Sequence, residues 1–276
     1  MKNETLETSM KIVKYKIPLA FCVIALVSLV LLLPLLQPTL SVHHAVTNAI
    51  DFLKESNEPF ALLWLDVIYR RFEIPEFADS SKRYDQLLND SQGEPLQLRV
   101  FRRIANYNNS LWIGDLEGLV DLDSIVGPAL YCDRLGLTLE YQKMIEAKVN
   151  LGEYELTHVL LAWIWIQDNG CEVFLSESFI EKLYNANAEL IDNDQIVDDL
   201  ELEAGAFLYL AGQGELVDES FIQRVIATQN TDGGWGISSK SSRESNWHPT
   251  ILGLLLLLHI DSPSALYPPI LAPASP

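Results

Sequence analysis

The sequence predicts an all-α protein, in which pairs of helices follow a single N-terminal transmembrane helix. Apolar residues recur with helical spacing through most of the chain, and no useful length of sequence alternates apolar and polar residues as a half-buried strand does. In the C-terminal half the helix pairs recur about every 40 residues, which is typical of helical-repeat arrays. Near the N-terminus, an uncharged apolar segment has the length needed to cross a bilayer.

The apolar segment covers residues 17–36, where Leu, Val, Ala and Ile dominate. Roughly 20 such residues span the hydrocarbon core of a bilayer. Four lysines lie within residues 1–16, and no Lys or Arg follows the segment until Lys54. The positive-inside rule therefore predicts a single-pass protein with a cytoplasmic N-terminus and an extracytoplasmic remainder. A cleaved secretory signal has the same order of charged and apolar parts, and under that alternative the protein is secreted.

The chain is acidic, with a net charge of −19 at pH 7. Nucleic acids and anionic lipids bind basic surfaces, so the charge argues against both as partners of the exported part. A cationic partner, Ca²⁺ or solubility alone would each be compatible with the acidic excess. The membrane is therefore expected as a partner only through the N-terminal helix.

Two cysteines, Cys132 and Cys171, follow the apolar segment. They could form a disulfide outside the reducing cytosol. A sequence alone does not show whether their Cα atoms come within bonding range. Two buried free thiols are the default expectation, and a disulfide is the alternative.

A helical domain is predicted over residues 37–261, and a Pro-rich tail over 262–276. The tail has no charge and no apolar periodicity, and we expect it to be loosely ordered. The domain holds about five helical hairpins at the repeat length found here. Apolar spacing, prolines and glycine stops predict helices within the ranges 41–56, 59–72, 85–88, 96–105, 116–135, 138–149, 154–168, 176–190, 195–211, 221–228 and 249–260.

The two helices of a pair differ in pattern, most clearly in the last three pairs. The first helix, as over residues 138–149, has one apolar face, whereas the second, as over 249–260, is apolar along most of its length. A helix that is apolar nearly all round must be buried on most sides. Second helices are therefore expected inside the domain, and first helices on its rim.

The last pair is joined by a glycine turn within the sequence Gln-Asn-Thr-Asp-Gly-Gly-Trp-Gly, residues 229–236. Gly233 and Gly234 allow backbone angles that residues with a Cβ adopt only under strain. With the sequence Asn-Trp-His-Pro-Thr at 246–250, this turn resembles the repeat of the terpenoid cyclase and prenyltransferase toroid superfamily over residues 219–259. The resemblance implies an α/α toroid, a closed or incomplete ring of helical hairpins whose inner helices line a central cavity.

The signature residues of that superfamily's enzymes differ from those of this chain. Cyclases that protonate their substrates carry an Asp-x-Asp-Asp signature, which does not occur here. Protein prenyltransferases bind zinc through Asp-x-Cys and a distant His, and this chain has no Asp-x-Cys. The resemblance therefore implies a fold and does not point to a particular terpenoid reaction.

Polar residues interrupt the last three apolar helices mainly near their N-terminal ends. In a ring with parallel inner helices these ends meet at one mouth of the cavity, where they would form a site with acid, base and ligand-binding groups. The candidates for acid–base catalysis are Glu155, His158, Asp199 and His248. The candidates for contacts with a ligand are Trp235, Trp247 and Thr250.

Each kind of candidate also has a purely structural interpretation. Acidic residues in the first turn stabilise a helix through its dipole by about 0.3–1 kcal/mol each, which would account for the acidic run over residues 198–203. His248 could cap its helix, and Trp235 could pack within its hairpin. Glu155 and His158 match half of a di-metal helix motif, but no second Glu-x-x-His occurs, so the sequence predicts no metal ligand and identifies no cofactor.

Two functions are compatible with this organisation. The first is a membrane-anchored binding module whose central cavity holds a ligand or partner, with a small molecule, a lipid or a glycan as the candidate ligands. The second is an enzyme that acts on an isoprenoid or a glycan by acid–base chemistry in the same cavity. The enzyme hypothesis requires the candidate side chains to face one cavity that solvent can reach.

Overall fold

The computed structural model describes residues 42–90, 95–173, 175–192, 194–239, 244–264 and 266–271. Within these ranges the chain forms helices and turns, with two isolated β-bridges and no strand, which confirms the all-α class. The predicted cytoplasmic segment and transmembrane helix, residues 1–36, lie outside the described residues. No helix in the described part is both long enough and apolar enough to cross a membrane.

The helices are numbered in chain order. The α-helices are α1 (residues 42–53), α2 (Pro59–Phe72), α3 (Ser80–Asp90), α4 (Leu96–Phe101), α5 (Ile113–Glu117), α6 (Asp123–Leu130), α7 (Cys132–Leu135), α8 (Leu139–Lys148), α9 (Glu153–Asp168), α10 (Glu177–Glu189), α11 (Asp199–Leu210), α12 (Glu219–Ala227) and α13 (Trp247–Asp261). Short 3-10 helices cover Pro75–Phe77, Arg102–Ile104 and Gly214–Leu216. The helices predicted after the anchor are therefore present, with bounds that shift by a few residues.

The region predicted to contain one helix before Gly136 holds two, α6 and α7. Pro128 lies inside α6 and has no N–H to donate, and the backbone of Tyr131 leaves the helical region with φ −118° and ψ 15°. The chain resumes a short helix and ends it at Gly136, whose φ of +70° suits a residue without a Cβ.

The second helix of each of the last three pairs is buried, as the apolar pattern predicts. In α13 every residue from Pro249 to His259 is buried, and α9 and α11 are buried along most of their lengths. The first helices α8, α10 and α12 each bury only two or three residues on one side. The packing of apolar helices inside and amphipathic helices outside is thus confirmed for these pairs.

Six helices form a closed cycle of contacts. Helix α13 packs against α11, α11 against α9, and α9 against α6. Helix α6 packs against α4, α4 against α2, and α2 returns to α13. We call α2, α4, α6, α9, α11 and α13 the cycle helices. They bring the polar starts of three helices that are distant in sequence to one region of the molecule.

The glycine turn of the last hairpin positions Trp235 between helices. Gly233 has φ +93°, and a Cβ on it would lie 2.3 Å from the carbonyl oxygen of Asn48. The indole Nε1 of Trp235 donates to the carbonyl oxygen of Val225 at 2.8 Å, and its ring lies against Gly253, where a Cβ would come within 2.9 Å. Trp235 therefore packs within the hairpin.

Cys132 and Cys171 form a disulfide, so the default expectation of two free thiols is wrong. Their Cα atoms lie 6.1 Å apart, within the range that a disulfide spans. The bond joins the start of α7 to the segment after α9, and the packing of α6 on α9 brings these two points together. The two cysteines come close together only through the tertiary packing of α6 on α9, and their spacing in the sequence does not predict that packing.

The described part of the predicted tail is anchored, which differs from the loose order expected of it. The backbone N–H of Ile270 donates to Oδ2 of Asp168 at 2.8 Å, and Arg70 donates to the carbonyl oxygen of Ile270 at 2.8 Å. Ile270 and Leu271 are almost fully buried. Two apolar side chains and buried hydrogen bonds fix a segment that has no periodicity of its own.

Candidate functional site

A cavity of about 220 Å³ lies among the cycle helices α2, α4, α6, α9 and α13. Its lining is mostly apolar, with a group of large aromatic rings: Phe60, Trp64, Phe101, Trp165 and Trp247. Three titratable side chains also face it, namely Asp123, His158 and His248. The predicted convergence on one cavity thus includes both histidines.

His248 reaches the cavity from the first turn of α13 and binds a carboxylate of α11. The side chain of Asn246 caps α13 by accepting from the backbone N–H of His248 at 2.9 Å, so the capping role considered for His248 belongs to Asn246. The ring of His248 is therefore free for other contacts. Its Nδ1 lies 2.7 Å from Oδ1 of Asp199, which is the distance of a charge-assisted hydrogen bond.

Glu203 lies one helical turn after Asp199 on α11 and is only 1% exposed. Its Oε1 accepts a hydrogen bond from Oγ1 of Thr157 and lies 3.2 Å from Nδ1 of His158. Its Oε2 lies 3.6 Å from Nε2 of His248. The buried carboxylate of Glu203 therefore lies between the two imidazole rings, and the three helices α9, α11 and α13 meet there.

The proton on His158 can be assigned from its neighbours. Nδ1 lies 2.9 Å from the carbonyl oxygen of Tyr154, which can only accept, so Nδ1 carries a hydrogen. In the neutral ring Nε2 is then an unprotonated acceptor. Among the described residues Nε2 has no hydrogen-bond partner, and the ring lines the cavity. In its neutral form, His158 therefore presents a hydrogen-bond acceptor to the cavity.

Burial and charge act in opposite directions on His248. Burial lowers the pKa of His248, but the hydrogen bond and charge of Asp199 and the charge of Glu203 raise it, and the net pKa lies above the ordinary value of 6.5. Burial also raises the pKa of Asp123, with a smaller opposing effect from His158. The cavity therefore carries one imidazole that favours its protonated form and one carboxyl that holds its proton more strongly than usual.

Tyr154 and Thr157 hold the two carboxylates from the α9 side. The hydroxyl of Tyr154 donates to Oδ2 of Asp199 at 2.9 Å, and that of Thr157 donates to Glu203. Burial and the charge of Asp199 raise the pKa of Tyr154, so the phenol stays protonated and remains a donor. Each carboxylate thus has one oxygen held from α9 and the other directed toward His248.

The remaining predicted residues divide between the cavity and the packing around it. Trp247 lines the cavity, with its ring centroid 5.3 Å from that of His248. Glu155 lies outside, where its Oε1 is 3.7 Å from Nζ of Lys148. Thr250 is fully buried and accepts from the backbone N–H of Trp235 at 2.9 Å, so both of these residues belong to the hairpin packing.

Two of the four acidic residues at the start of α11, Asp198 and Glu201, stabilise the N-terminus of the helix. Asp198 is the N-cap and accepts from the N–H of Glu201, whose own side chain accepts from the N–H of Asp198. Burial raises the pKa of Glu201 to about 7, although the hydrogen bond from Asp198 opposes this. Asp198 and Glu201 thus start the helix, while Asp199 and Glu203 face α9 and α13.

Several site residues were not among the sequence candidates. Glu203 lies four residues after Asp199, and that spacing places both carboxylates on one helix face, which was a usable signal. Tyr154 and Asp123 carried no comparable signal, because their roles depend on which helices pack together. Three of the five rings, Phe60, Trp64 and Phe101, come from α2 and α4, where their sequence pattern is that of core residues.

Three groups in this cluster have the chemistry of metal ligands. One ligand atom from each of Asp199, Glu203 and His248 can be chosen so that all lie within 4.8 Å of one another. Without an ion, His248 is hydrogen-bonded to Asp199 and lies 3.6 Å from the carboxylate of Glu203, and this group could transfer a proton to or from a ligand.

Comparison with known proteins leaves the site to be interpreted from its own geometry. No protein-family model, no curated protein and no solved structure matches this chain.

Proposed function

We propose that the chain is an α/α-toroid domain, tethered to the extracytoplasmic side of a membrane, that binds a small ligand in its aromatic cavity. The closed cycle of contacts among α2, α4, α6, α9, α11 and α13 supports the toroid. The disulfide between Cys132 and Cys171 supports an oxidising location, because disulfides persist mainly outside the cytosol. The uncharged segment over residues 17–36 supports the tether.

The observation that carries the binding function is the composition of the cavity. Large rings surround it while two imidazoles and one carboxyl converge on it, which is the usual composition of a small-molecule site. Its volume of about 220 Å³ is below the roughly 300–1,000 Å³ of typical sites, which favours a small ligand or one end of a longer one.

The chemistry of the lining indicates what such a ligand must offer. The rings of Trp64, Trp165 and Trp247 bind flat or apolar faces, such as those of a sugar ring or an isoprenoid unit. His158 accepts a hydrogen bond through Nε2, so a hydroxyl or amine on the ligand would be bound there. A small glycan or lipid fragment that carries a hydroxyl meets both requirements.

The binding function can be tested with the full-length protein purified in detergent. Native mass spectrometry of the wild type should detect a bound small molecule, and Trp247→Ala should reduce its occupancy by at least about tenfold, because one aromatic wall is lost. Trp112→Ala is the matched control, since Trp112 is 82% exposed and lies outside the cavity. Equal occupancy in Trp247→Ala and in the wild type, or no bound molecule in either, would contradict the proposal.

An acid–base enzyme is the second candidate function, favoured by the different states of the two histidines. The hydrogen bond to the Tyr154 carbonyl oxygen leaves Nε2 of His158 facing the cavity, while the carboxylates raise the pKa of His248. Two imidazoles with different hydrogen-bond partners at one site can serve as base and acid. If this is correct, His158→Gln and His248→Gln should still bind the copurified molecule while product formation falls by at least about a hundredfold.

A further inference from the structure

The buried carboxylates of Asp199 and Glu203 have two negative charges between them, of which a protonated His248 would balance only one. They are 5% and 1% exposed. Within the described part of the chain no Lys or Arg forms a salt bridge with either, and the only basic groups close to them are His158 and His248. Two buried negative charges are costly unless cations compensate them. A divalent cation at this point would supply that compensation.

The free oxygens of the two carboxylates converge on His248. One ligand atom from each of the three residues lies within 4.8 Å of the others. The distance from Nε2 of His248 to Oε2 of Glu203 is 3.6 Å, close to the edge of about 3.4 Å expected between ligands of a tetrahedral ion with bonds of ~2.1 Å. Oδ1 of Asp199 lies at the other ring nitrogen, 2.7 Å from Nδ1, so closing the set on an ion at Nε2 requires the Asp199 side chain to move or the imidazole ring to rotate.

Hydrogen bonds from residues outside the ligand set also orient the two carboxylates, as is usual for metal ligands. Tyr154 donates to Oδ2 of Asp199 and Thr157 donates to Oε1 of Glu203. These bonds leave Oδ1 and Oε2 directed toward His248. Hydrogen bonds from residues that do not bind the metal orient the ligands that do, and they strengthen metal binding.

We propose that Asp199, Glu203 and His248 bind a divalent transition-metal ion of the Zn²⁺ class beside the aromatic cavity. Two carboxylate oxygens and one imidazole nitrogen form a ligand set suited to Zn²⁺, and three protein ligands leave a fourth position for water or for a ligand atom. His248 lines the cavity, so the ion is accessible from it. The sequence did not predict a metal because it offered no paired Glu-x-x-His motif, whereas this set is assembled from α11 and α13.

Metal binding would change the role of His248. An imidazole nitrogen that binds an ion cannot also carry the proton of a general acid. The metal site and the acid–base use of His248 are therefore mutually exclusive, while ligand binding by the aromatic rings is compatible with both.

The test uses the full-length protein in detergent, stripped with EDTA and then dialysed. Isothermal titration calorimetry should show one saturable Zn²⁺ site, and Co²⁺ should produce the intense visible absorption of a tetrahedral ion. Glu203→Gln and His248→Ala should each weaken Zn²⁺ binding by at least about tenfold. Glu201→Gln is the matched control, because it makes the same change at a buried position of the same helix, outside the cluster.

Circular dichroism separates loss of the site from loss of the fold. If Glu203→Gln is unfolded, Asp199→Asn provides the second variant, and the Co²⁺ spectrum of the wild type provides a measurement that needs no variant. The proposal is overturned if the folded wild type shows no saturable Zn²⁺ site. It is equally overturned if Zn²⁺ binds the wild type, Glu203→Gln and His248→Ala with the same affinity. Neither result depends on whether a small molecule occupies the aromatic cavity.

Discussion

At the scale of single residues, neighbouring groups on α9 and α11 determine the hydrogen bonding of both cavity histidines. The charge of Asp199 holds a proton on His248, whereas the Tyr154 carbonyl oxygen orients His158 so that Nε2 stays free. Two imidazoles of the same intrinsic basicity therefore face one cavity with different hydrogen-bonding capacity. Because this difference arises from neighbouring groups, single substitutions can remove it.

The raised pKa of His248 makes the stability of the protein depend on pH. The folded state binds the His248 proton more strongly than the unfolded state, so the stabilisation is fully present below pH 6.5 and is lost as pH rises through the raised pKa. In the presence of EDTA, the excess thermal stability of the wild type over His248→Gln should therefore be largest in acid and should shrink toward alkaline pH.

Thermal denaturation followed by circular dichroism between about pH 5 and 9 measures this difference. His43→Gln is the control, because His43 forms an ion pair with Asp261 while its side chain is 71% exposed, and such a pair contributes little. A stability difference between the wild type and His248→Gln that is independent of pH would show that the carboxylates do not hold a proton on His248.

At the scale of helices, the contact between the Trp235 ring and α13 requires a glycine at position 253. A Cβ there would lie 2.9 Å from one ring carbon of Trp235 and 3.1 Å from the next. The ring cannot retreat easily, because its Nε1 donates to Val225 and it is 2% exposed. Close packing of this kind explains a glycine inside a buried helix, where it otherwise lowers helix stability.

Replacing this glycine should therefore destabilise the protein even though alanine is the better helix former. We expect Gly253→Ala to lower the free energy of unfolding by about 1–3 kcal/mol through overpacking, partly offset by about 1 kcal/mol from helix propensity. Gly114→Ala in α5 is the matched control, since no heavy atom lies within 4 Å of the point that the added methyl group would occupy, and it should be neutral or slightly stabilising. Denaturant unfolding curves compare the two, and equal effects would contradict the packing argument.

How much of the structure could be predicted differs between these helices. The burial of α9, α11 and α13 follows from continuous apolar runs, because a helix without a polar face has no side to expose. The same runs made the interrupting polar residues conspicuous, and the structure places His248 against Asp199 and both histidines beside Glu203. Glu155 does not join them, since residues three apart on a helix share a face only approximately and Lys148 on α8 holds its carboxylate.

The aromatic side of the cavity could not be predicted from the same pattern. Phe60, Trp64 and Phe101 lie on α2 and α4, where their spacing is that of ordinary core residues. Their role depends on α2 and α4 packing beside α13 and α6, which are distant in sequence. Periodicity identifies the buried side of a helix, but it does not identify the neighbour against which that side packs.

At the scale of the whole molecule, the disulfide links two segments across a sequence separation of 39 residues. In the chain-entropy description, closing a loop of that length stabilises the folded state by about 4 kcal/mol, because the unfolded chain loses freedom. We expect the double variant Cys132→Ser, Cys171→Ser to unfold at a correspondingly lower denaturant concentration, while it keeps its helical circular dichroism. The wild type in reducing agent should behave in the same way, and an unchanged midpoint in both would contradict a stabilising disulfide.

The contact between α2 and α13 joins the first and last cycle helices of the domain. A linear array of repeats can fold progressively, since each repeat needs only its neighbour. In this chain the side of α2 that contacts α13 is not covered until residues 247–261 have been synthesised, so a nascent chain that stops earlier leaves that apolar surface exposed. Folding should therefore be a single cooperative event that requires nearly the whole domain, and premature termination should produce a chain that proteases degrade.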